Sequence, residues 1–293
     1  MREKSPHLYG VLITAAGVLL LTPDGLLVRL IGADSATILF WRGILFSIGI
    51  FGFYLLRRGA ATLGLVQAMG KRGLLAALLF SLSTCFFVLA ITHTSAANAL
   101  VIIATAPLFA ALFSWLILKE TISLSTWIAI SVCIGGISLI FLGSVGGGSR
   151  DGDFYAIICA FMIAGQITTV RHARSVDMVP SLGIAGLLTA LIALPFSAPL
   201  AITGLDFMYL CILGLIVLPC AFGLITIGPR YISAPEVSLL MLMESILGPF
   251  WVWLVLAEVP RPETFIGGTI VIATLVIHTG VAYRKSRPVP ARG

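Results

Sequence analysis

The sequence reads as an all-α membrane protein, ten transmembrane helices forming an inverted repeat of two five-helix halves. Three observations carry that reading: the apolar content, the length of the apolar runs, and a partial duplication across the middle of the chain. Of the 293 residues, 59% are hydrophobic even before the 30 glycines are added, and 10% are charged, against roughly 45–50%, glycine included, and 25% in soluble domains. So little polar surface cannot solvate a globule of this length. A soluble enzyme, a disordered chain and a nucleic-acid binder are excluded together.

A helix that crosses a bilayer takes about 20 mainly apolar residues. The first such run is Leu8 to Ile31, entered from Met1-Arg-Glu-Lys4 with no small-residue cleavage site, so it is expected to remain as an anchor. The second, Ala36 to Leu56, stops at Arg57-Arg58, and the third, Gly73 to Thr92, starts after Lys71-Arg72. The fourth, Ala96 to Leu118, contains Pro107, and the fifth runs from Leu124 to Leu142. After a glycine-rich connection come Gly152 to Arg171, Ser181 to Ile202, and Asp206 to Gly228 with Pro219 inside. Ala234 to Leu256, with Gly248-Pro249 inside, and Thr264 to Tyr283 complete the ten. The runs are continuous rather than alternating, which favours helices over barrel strands.

Basic residues set the expected orientation. With the N-terminus inside, the inner segments collect Arg2, Lys4, Arg57, Arg58, Lys71, Arg72, Lys119, Arg171, Arg174, Arg230 and the C-terminal Arg284, Lys285, Arg287 and Arg292. The outer segments hold only Arg150 and Arg261, while Arg29 and Arg42 lie within helices. By the positive-inside rule both termini are cytoplasmic. The net charge of +6 is then a topological signal, and no nucleic-acid partner is needed. The five cysteines all fall within apolar runs without metal-ligand spacing, so they read as buried small hydrophobes.

The chain divides into residues 1–143, a glycine-rich linker at 144–151, and residues 152–293. Gly146-Gly-Gly-Ser149 lacks the Gly-Lys-Ser/Thr of a phosphate loop. Sliding the second half back by 138 positions superposes Ser95-Ala96 on Ser233-Ala234 and Trp115-Leu116 on Trp253-Leu254. It also superposes Glu120 on Glu258 and Thr126 on Thr264. A register of 142 places Gly10 over Gly152 and Val28-Arg29 over Val170-Arg171. Five spans is an odd number, so the second copy enters the membrane with opposite sense. Inverted repeats around a midplane site are the architecture of secondary transporters.

The paired segments Trp115-Leu-Ile-Leu-Lys-Glu120 and Trp253-Leu-Val-Leu-Ala-Glu258, each followed by a further apolar helix, resemble the duplicated signature of EamA-type proteins in the drug/metabolite transporter superfamily. Within it the chain is most similar to the bacterial amino-acid exporters. The resemblance implies a carrier whose central cavity lies between the halves, lined by helices one, three, four, six, eight and nine. The second copy departs from the pattern at Pro260, Pro262 and Ala273-Thr274, the last standing where the first has Gly135-Gly136.

A charge at the bilayer centre costs about 2.5–3.5 kcal/mol, so it should face a cavity or a partner. Asp24 and Arg42 each lie roughly 10 Å below the outer ends of helices one and two. They suit either a structural ion pair or a site in which Pro23-Asp24-Gly25 breaks helix one and offers a carboxylate to an ammonium group while Arg42 takes a carboxylate. Arg29, near the outer surface, reads as snorkelling. Glu244, near the middle of helix nine, aligns with Ala106 and reads as a substrate or proton site or as a hydrogen-bonded helix contact. Ser83, Asn98, Thr105 and Gln166 are further candidates for the cavity wall, with Ser81 and Thr84 beside them. Pro23, Gly25, Pro107, Pro219, Gly248 and Pro249 are candidate kinks or gates.

No His-Glu-x-x-His or Gly-x-Ser-x-Gly pattern occurs, so no enzyme, metal or cofactor is expected. The expected function is export of small neutral or aromatic amino acids, or related metabolites, across the bacterial inner membrane by alternating access. The alternative is proton-coupled antiport of cationic drugs or metabolites. The expected partners are the small-molecule substrate and the lipid bilayer, with a monomer sufficient for transport.

Overall fold

A computed structural model describes residues 6–118, 124–144, 150–173, 175–231, 234–259 and 262–286. The described residues form helices and no strand, as hydrocarbon demands: an isolated helix satisfies its own backbone polar groups. Six helical stretches are long and apolar enough to cross a membrane: Leu8–Leu30, Ser35–Arg58, Ala61–His93, Ala96–Phe113, Arg150–His172 and Gly204–Ile227. The Gly-rich linker at 145–149 lies outside the described residues, as do Lys119, Glu120, Pro260 and Arg261.

Several predicted spans are interrupted, and each interruption has a local cause. The first run divides into α1 (Pro6–Leu21) and α2 (Asp24–Leu30). Pro23 has no N–H to give to Leu19, one turn back; the Thr22 hydroxyl donates to that carbonyl instead, at 2.9 Å. Trp251 Nε1 in turn donates to Thr22 Oγ1 at 3.1 Å. The second run is α3 (Ser35–Arg58), whose first turn is capped by Asp34 accepting from the Thr37 amide. The third begins earlier than Gly73. Helix α4 (Ala61–His93) includes most of the expected polar connection and turns at Gly70, where φ is +53° and ψ −150°, a conformation essentially reserved for glycine.

The fourth run is α5 (Ala96–Ile103) and α6 (Ala106–Leu118), parted at Ala104-Thr105 just before Pro107. It is followed by α7 (Leu124–Ser144), α8 (Arg150–His172) and α9 (Pro180–Ala193). The seventh run stops short of Ile202, because Pro195 turns its end into a 3-10 helix at Leu194–Phe196. The eighth is α10 (Gly204–Cys211), a π-helical segment Ile212–Val217, and α11 (Leu218–Ile227) with Pro219 in its first turn. Such π segments occur mostly as single bulges inside longer helices. Finally come α12 (Ala234–Leu256) and α13 (Pro262–Ser286). Pro249 lies inside α12 without dividing it. Of the candidate kinks, Pro23, Gly25 and Pro107 therefore sit at or next to helix breaks and Pro219 just after the π-helical segment, and Gly248 and Pro249 do neither.

The packing partners exchange in pairs. Helix α4 packs along α8, and α11, its counterpart in the duplication, packs along α1; α3 packs on α9 and α7 on α13. At the crossing of α3 and α9 the backbones approach closely. A Cβ on Gly43 would lie 2.5 Å from the Gly186 carbonyl oxygen, and one on Gly186 would lie 2.6 Å from that of Gly43. Glycine on both helices is what lets them meet, as at the small-residue seams of other membrane helices.

Candidate functional site

A cavity of about 90 Å³ lies between the two copies. One water takes about 10–15 Å³ by the same measure, so there is room for several waters. Its wall comes from α1, α2, α4, α5, α6, α8, α11 and α12, with Arg42 added from α3. The break after Leu21 brings Asp24 into that wall at the first residue of α2. Arg42 grips its carboxylate with both terminal nitrogens: Nη2 donates to Oδ2 at 2.7 Å and Nη1 to Oδ1. Both side chains are 3% exposed. The guanidinium also lies over the Phe87 ring, 5.4 Å from its centroid, a cation–π arrangement. Among the described residues its buried Nε has no hydrogen-bond partner.

Glu244 enters from α12, and among the described residues none donates a hydrogen bond to its carboxylate. Beside it Ser245 donates to the Leu100 carbonyl at 3.1 Å, tying α12 to α5. Ser83 donates to the Phe80 carbonyl at 2.7 Å, and Gln166 faces the same space from α8. Phe80 and Phe222 meet edge to face with centroids 4.8 Å apart.

The wall repeats the duplication. In the 142-position register Leu21 corresponds to Ile163, Asp24 to Gln166, Phe80 to Phe222 and Thr84 to Thr226; every one of these lines the cavity. In the 138-position register Ile103 corresponds to Met241, Ala106 to Glu244 and Pro107 to Ser245, and these line it too. The carboxylates break the pattern: the first copy has Asp24 where the second has Gln166, and the second has Glu244 where the first has Ala106.

Towards one end of the bundle, outside the cavity wall, a polar cluster closes the joins between α2, α5, α8 and α13. Arg29 Nη2 donates to the Thr94 carbonyl at 2.5 Å and pairs with Glu258 at 3.3 Å. Glu258 also accepts from the Ala96 amide, at 3.2 Å. Thr94 donates to Asp153 at 2.7 Å, Asn98 Nδ2 approaches Asp153 at 3.4 Å, and the Thr264 hydroxyl donates to the Asn98 side-chain oxygen. At the other end Arg230 pairs with Asp177 at 3.2 Å, and Tyr54 donates to Asp177 at 2.8 Å.

Of the residues expected at the site, Asp24, Arg42, Ser83, Gln166, Glu244 and Pro107 line the cavity. Asn98 belongs to the closing cluster. Thr105 turns back on the Ile102 carbonyl at 2.6 Å, where it satisfies the end of α5. Both are buried polar groups whose hydrogen bonds are met by the fold, so neither is part of the wall. Ser81 likewise accepts from Thr189 on α9, at 3.0 Å. Thr226, Ser245 and the Phe80/Phe222 pair escaped the sequence reading, although extending the 142-position register through Thr84 would have marked Thr226 and Phe222. Arg29 reaches Glu258 of the second copy rather than only the membrane surface.

An EamA-like transporter family model matches the chain twice, over residues 7–142 and 150–279. The chain belongs to the EamA-like transporter family. It is therefore a multi-pass membrane transporter of the drug/metabolite transporter superfamily, and the two matched segments are the two sets of helices whose partners exchange in pairs. A solved structure described only as a crystal structure of a protein has a TM-score of 0.68 to it at 18% identity, covering 95% of this chain and 99% of the other. At that identity the likeness speaks for the fold alone. No curated protein matches the chain.

Proposed function

We propose that this EamA-like protein is a ten-span secondary transporter that carries a small amine-bearing metabolite through the central cavity by alternating access. Neutral or aromatic amino acids are the preferred substrates, moved out of the bacterial cytoplasm across the inner membrane, with both termini cytoplasmic. The observation that carries this reading is the cavity itself: a wall made of paired positions from two copies, holding a matched ion pair and one unmatched carboxylate. Two equivalent walls can exchange which end of the bundle is open. The closing cluster of Arg29, Glu258 and Asp153 then marks the sealed outer end, and the cavity faces the basic, cytoplasmic end.

An ammonium group suits Glu244, which receives no hydrogen bond among the described residues, while the Nε–H of Arg42, unpartnered among them too, suits an acceptor such as a carboxylate oxygen. Phe80 and Phe222 supply apolar surface for a side chain. The choice of amino acids rests on the resemblance to the bacterial exporters.

Transport of labelled amino acids by proteoliposomes of the full chain tests the reading. Saturable, stereoselective counterflow of at least one neutral or aromatic amino acid is expected, with loss in Glu244→Gln. Glu244 also favours a second reading, exchange of an organic cation for a proton. That reading replaces the first if no amino acid moves and an organic cation moves only down an imposed pH gradient.

A further inference from the structure

We propose that the segment joining α3 to the membrane-spanning part of α4 is a docking surface for anionic phospholipid headgroups. The proposal depends on the chain crossing a membrane and is independent of what the cavity carries. Residues 61–69 form a short surface helix, entered and left through two glycines. Gly59 has φ +54° and ψ −136°, Gly70 φ +53° and ψ −150°. A Cβ on either would meet nothing within 4 Å. Backbone direction, not space, therefore calls for glycine at both points: they turn the chain out of one span and back into the next.

Helices Ser35–Arg58 and Ala61–His93 are both apolar enough to cross the membrane, and residues 61–69 precede the turn at Gly70 after which the second enters the bundle, so the segment is held at headgroup depth. Its inner face is fastened to the bundle. Thr62 and Met69 are buried, and Met69 packs with Val66, Val170, Ala173 and Met178. The outer face carries Leu63, 68% exposed, next to Gln67, and Leu56 at the end of α3 is 91% exposed. That is a helix fixed on one side and bearing an unpartnered leucine on the other, the pattern of an interfacial helix.

Charge decides the occupant. Arg57-Arg58 stand before the helix and Lys71-Arg72 after it, all exposed. No acidic residue occurs in the sequence between Asp34 and Glu120. Among the described residues none of the four forms an ion pair. By contrast Arg230, at the same end of the bundle, is already matched by Asp177. Four cations in two pairs, without an ion-pair partner among the described residues though Arg57 also lies over the Phe53 ring at 5.2 Å, flank an apolar contact and complement a negatively charged lipid surface whose acyl region receives Leu63.

The test is binding of a fluorescent-tailed phosphatidylglycerol to the purified full-length protein in neutral detergent. It is competed with unlabelled phosphatidylglycerol, phosphatidylcholine or inorganic phosphate. Phosphatidylglycerol is expected to compete at least tenfold better than phosphatidylcholine. R57Q/R58Q and K71Q/R72Q should each weaken binding tenfold or more, at about fivefold per charge removed. R230Q should leave binding within twofold. Leu63→Gln keeps every charge and should weaken binding several-fold, so the result does not hang on the charge variants alone. Unchanged binding in both double variants, or equal competition by the two lipids, overturns the proposal. Competition by inorganic phosphate as effective as by phosphatidylglycerol also overturns it, in favour of a free-anion site.

Discussion

The two copies furnish the same cavity with matched apolar and hydroxyl groups and with unmatched charges. In the first copy the charge is neutralised at once: Asp24, delivered by a helix break, is gripped by Arg42 from the neighbouring helix. In the second, Glu244 stands in the middle of an unbroken helix with no hydrogen-bond donor among the described residues. Where Asp24 has Gln166 as its counterpart, Glu244 has Ala106. One copy thus supplies a closed, self-satisfied pair, and the other supplies an open valence. The difference suggests a division of labour, with the first copy holding the wall together and the second meeting the cargo.

The sharpest way to break that comparison is to unbalance the first copy. Arg42→Leu leaves the Asp24 carboxylate buried alone, and removal of one partner from a buried pair costs about 3–5 kcal/mol. The purified protein should lose thermal stability heavily, while Asp24→Asn combined with Arg42→Gln, which removes both charges, should recover much of it. If Arg42→Leu is as stable as the wild type, Asp24 and Arg42 are a binding pair and not a brace.

Next in size is the seam where the copies cross. Gly186→Ala puts a methyl within 2.6 Å of the Gly43 carbonyl oxygen, so α3 and α9 must separate, at about 1–3 kcal/mol by analogy with overpacked cores. Arg42, which lines the cavity, directly precedes Gly43 at that seam, so transport should fall alongside stability. Gly52→Ala, on the partner helix α3 with nothing within 4 Å of the added Cβ, is the control and should leave both unchanged.

The all-helical membrane fold was legible because hydrocarbon imposes it: long apolar runs have no other way to satisfy their backbones. The break at Pro23 was legible too, since proline removes a definite hydrogen bond. The break at Ala104-Thr105 was not, although Pro107 carried the same signal, because proline near the start of a helix segment is also compatible with a continuous span. Depth alone put Asn98 and Thr105 in the cavity wall. Depth gives the level of a side chain and not its azimuth, and both had partners that sequence could not reveal: a threonine on another helix, and a carbonyl three residues back. The charges of the closing cluster were similarly hidden, since Arg29 and Glu258 lie 229 positions apart.

A smaller stability effect with a larger functional one is expected at Glu244. Replacement by glutamine keeps the volume and removes the unmatched charge, so the fold should not be destabilised. Counterflow should nevertheless be lost. A variant that transports like wild type would make Glu244 a packing residue and would leave the second copy without a distinct part.

The finest test moves the charge between copies. Ala106→Glu combined with Glu244→Ala puts a carboxylate at the equivalent position of the first copy, facing the same cavity. The composition of the wall is then unchanged, but the backbone beneath the charge is not. Residue 106 opens α6, immediately after the break at 104–105. Pro107 has no N–H and the Leu108 N–H donates to the Thr105 carbonyl at 2.9 Å, so an anion there is favoured by the positive end of the helix dipole and not by unbonded N–H groups. Residue 244 lies in the interior of α12, away from either end of the helix. The transplanted carboxylate should be stabilised by the dipole of its own helix, and its valence for cargo reduced. The exchanged protein is therefore expected to fold with stability close to wild type and to show reduced counterflow. Full activity would mean that the site recognises the presence of a carboxylate at that depth and is indifferent to the copy that bears it.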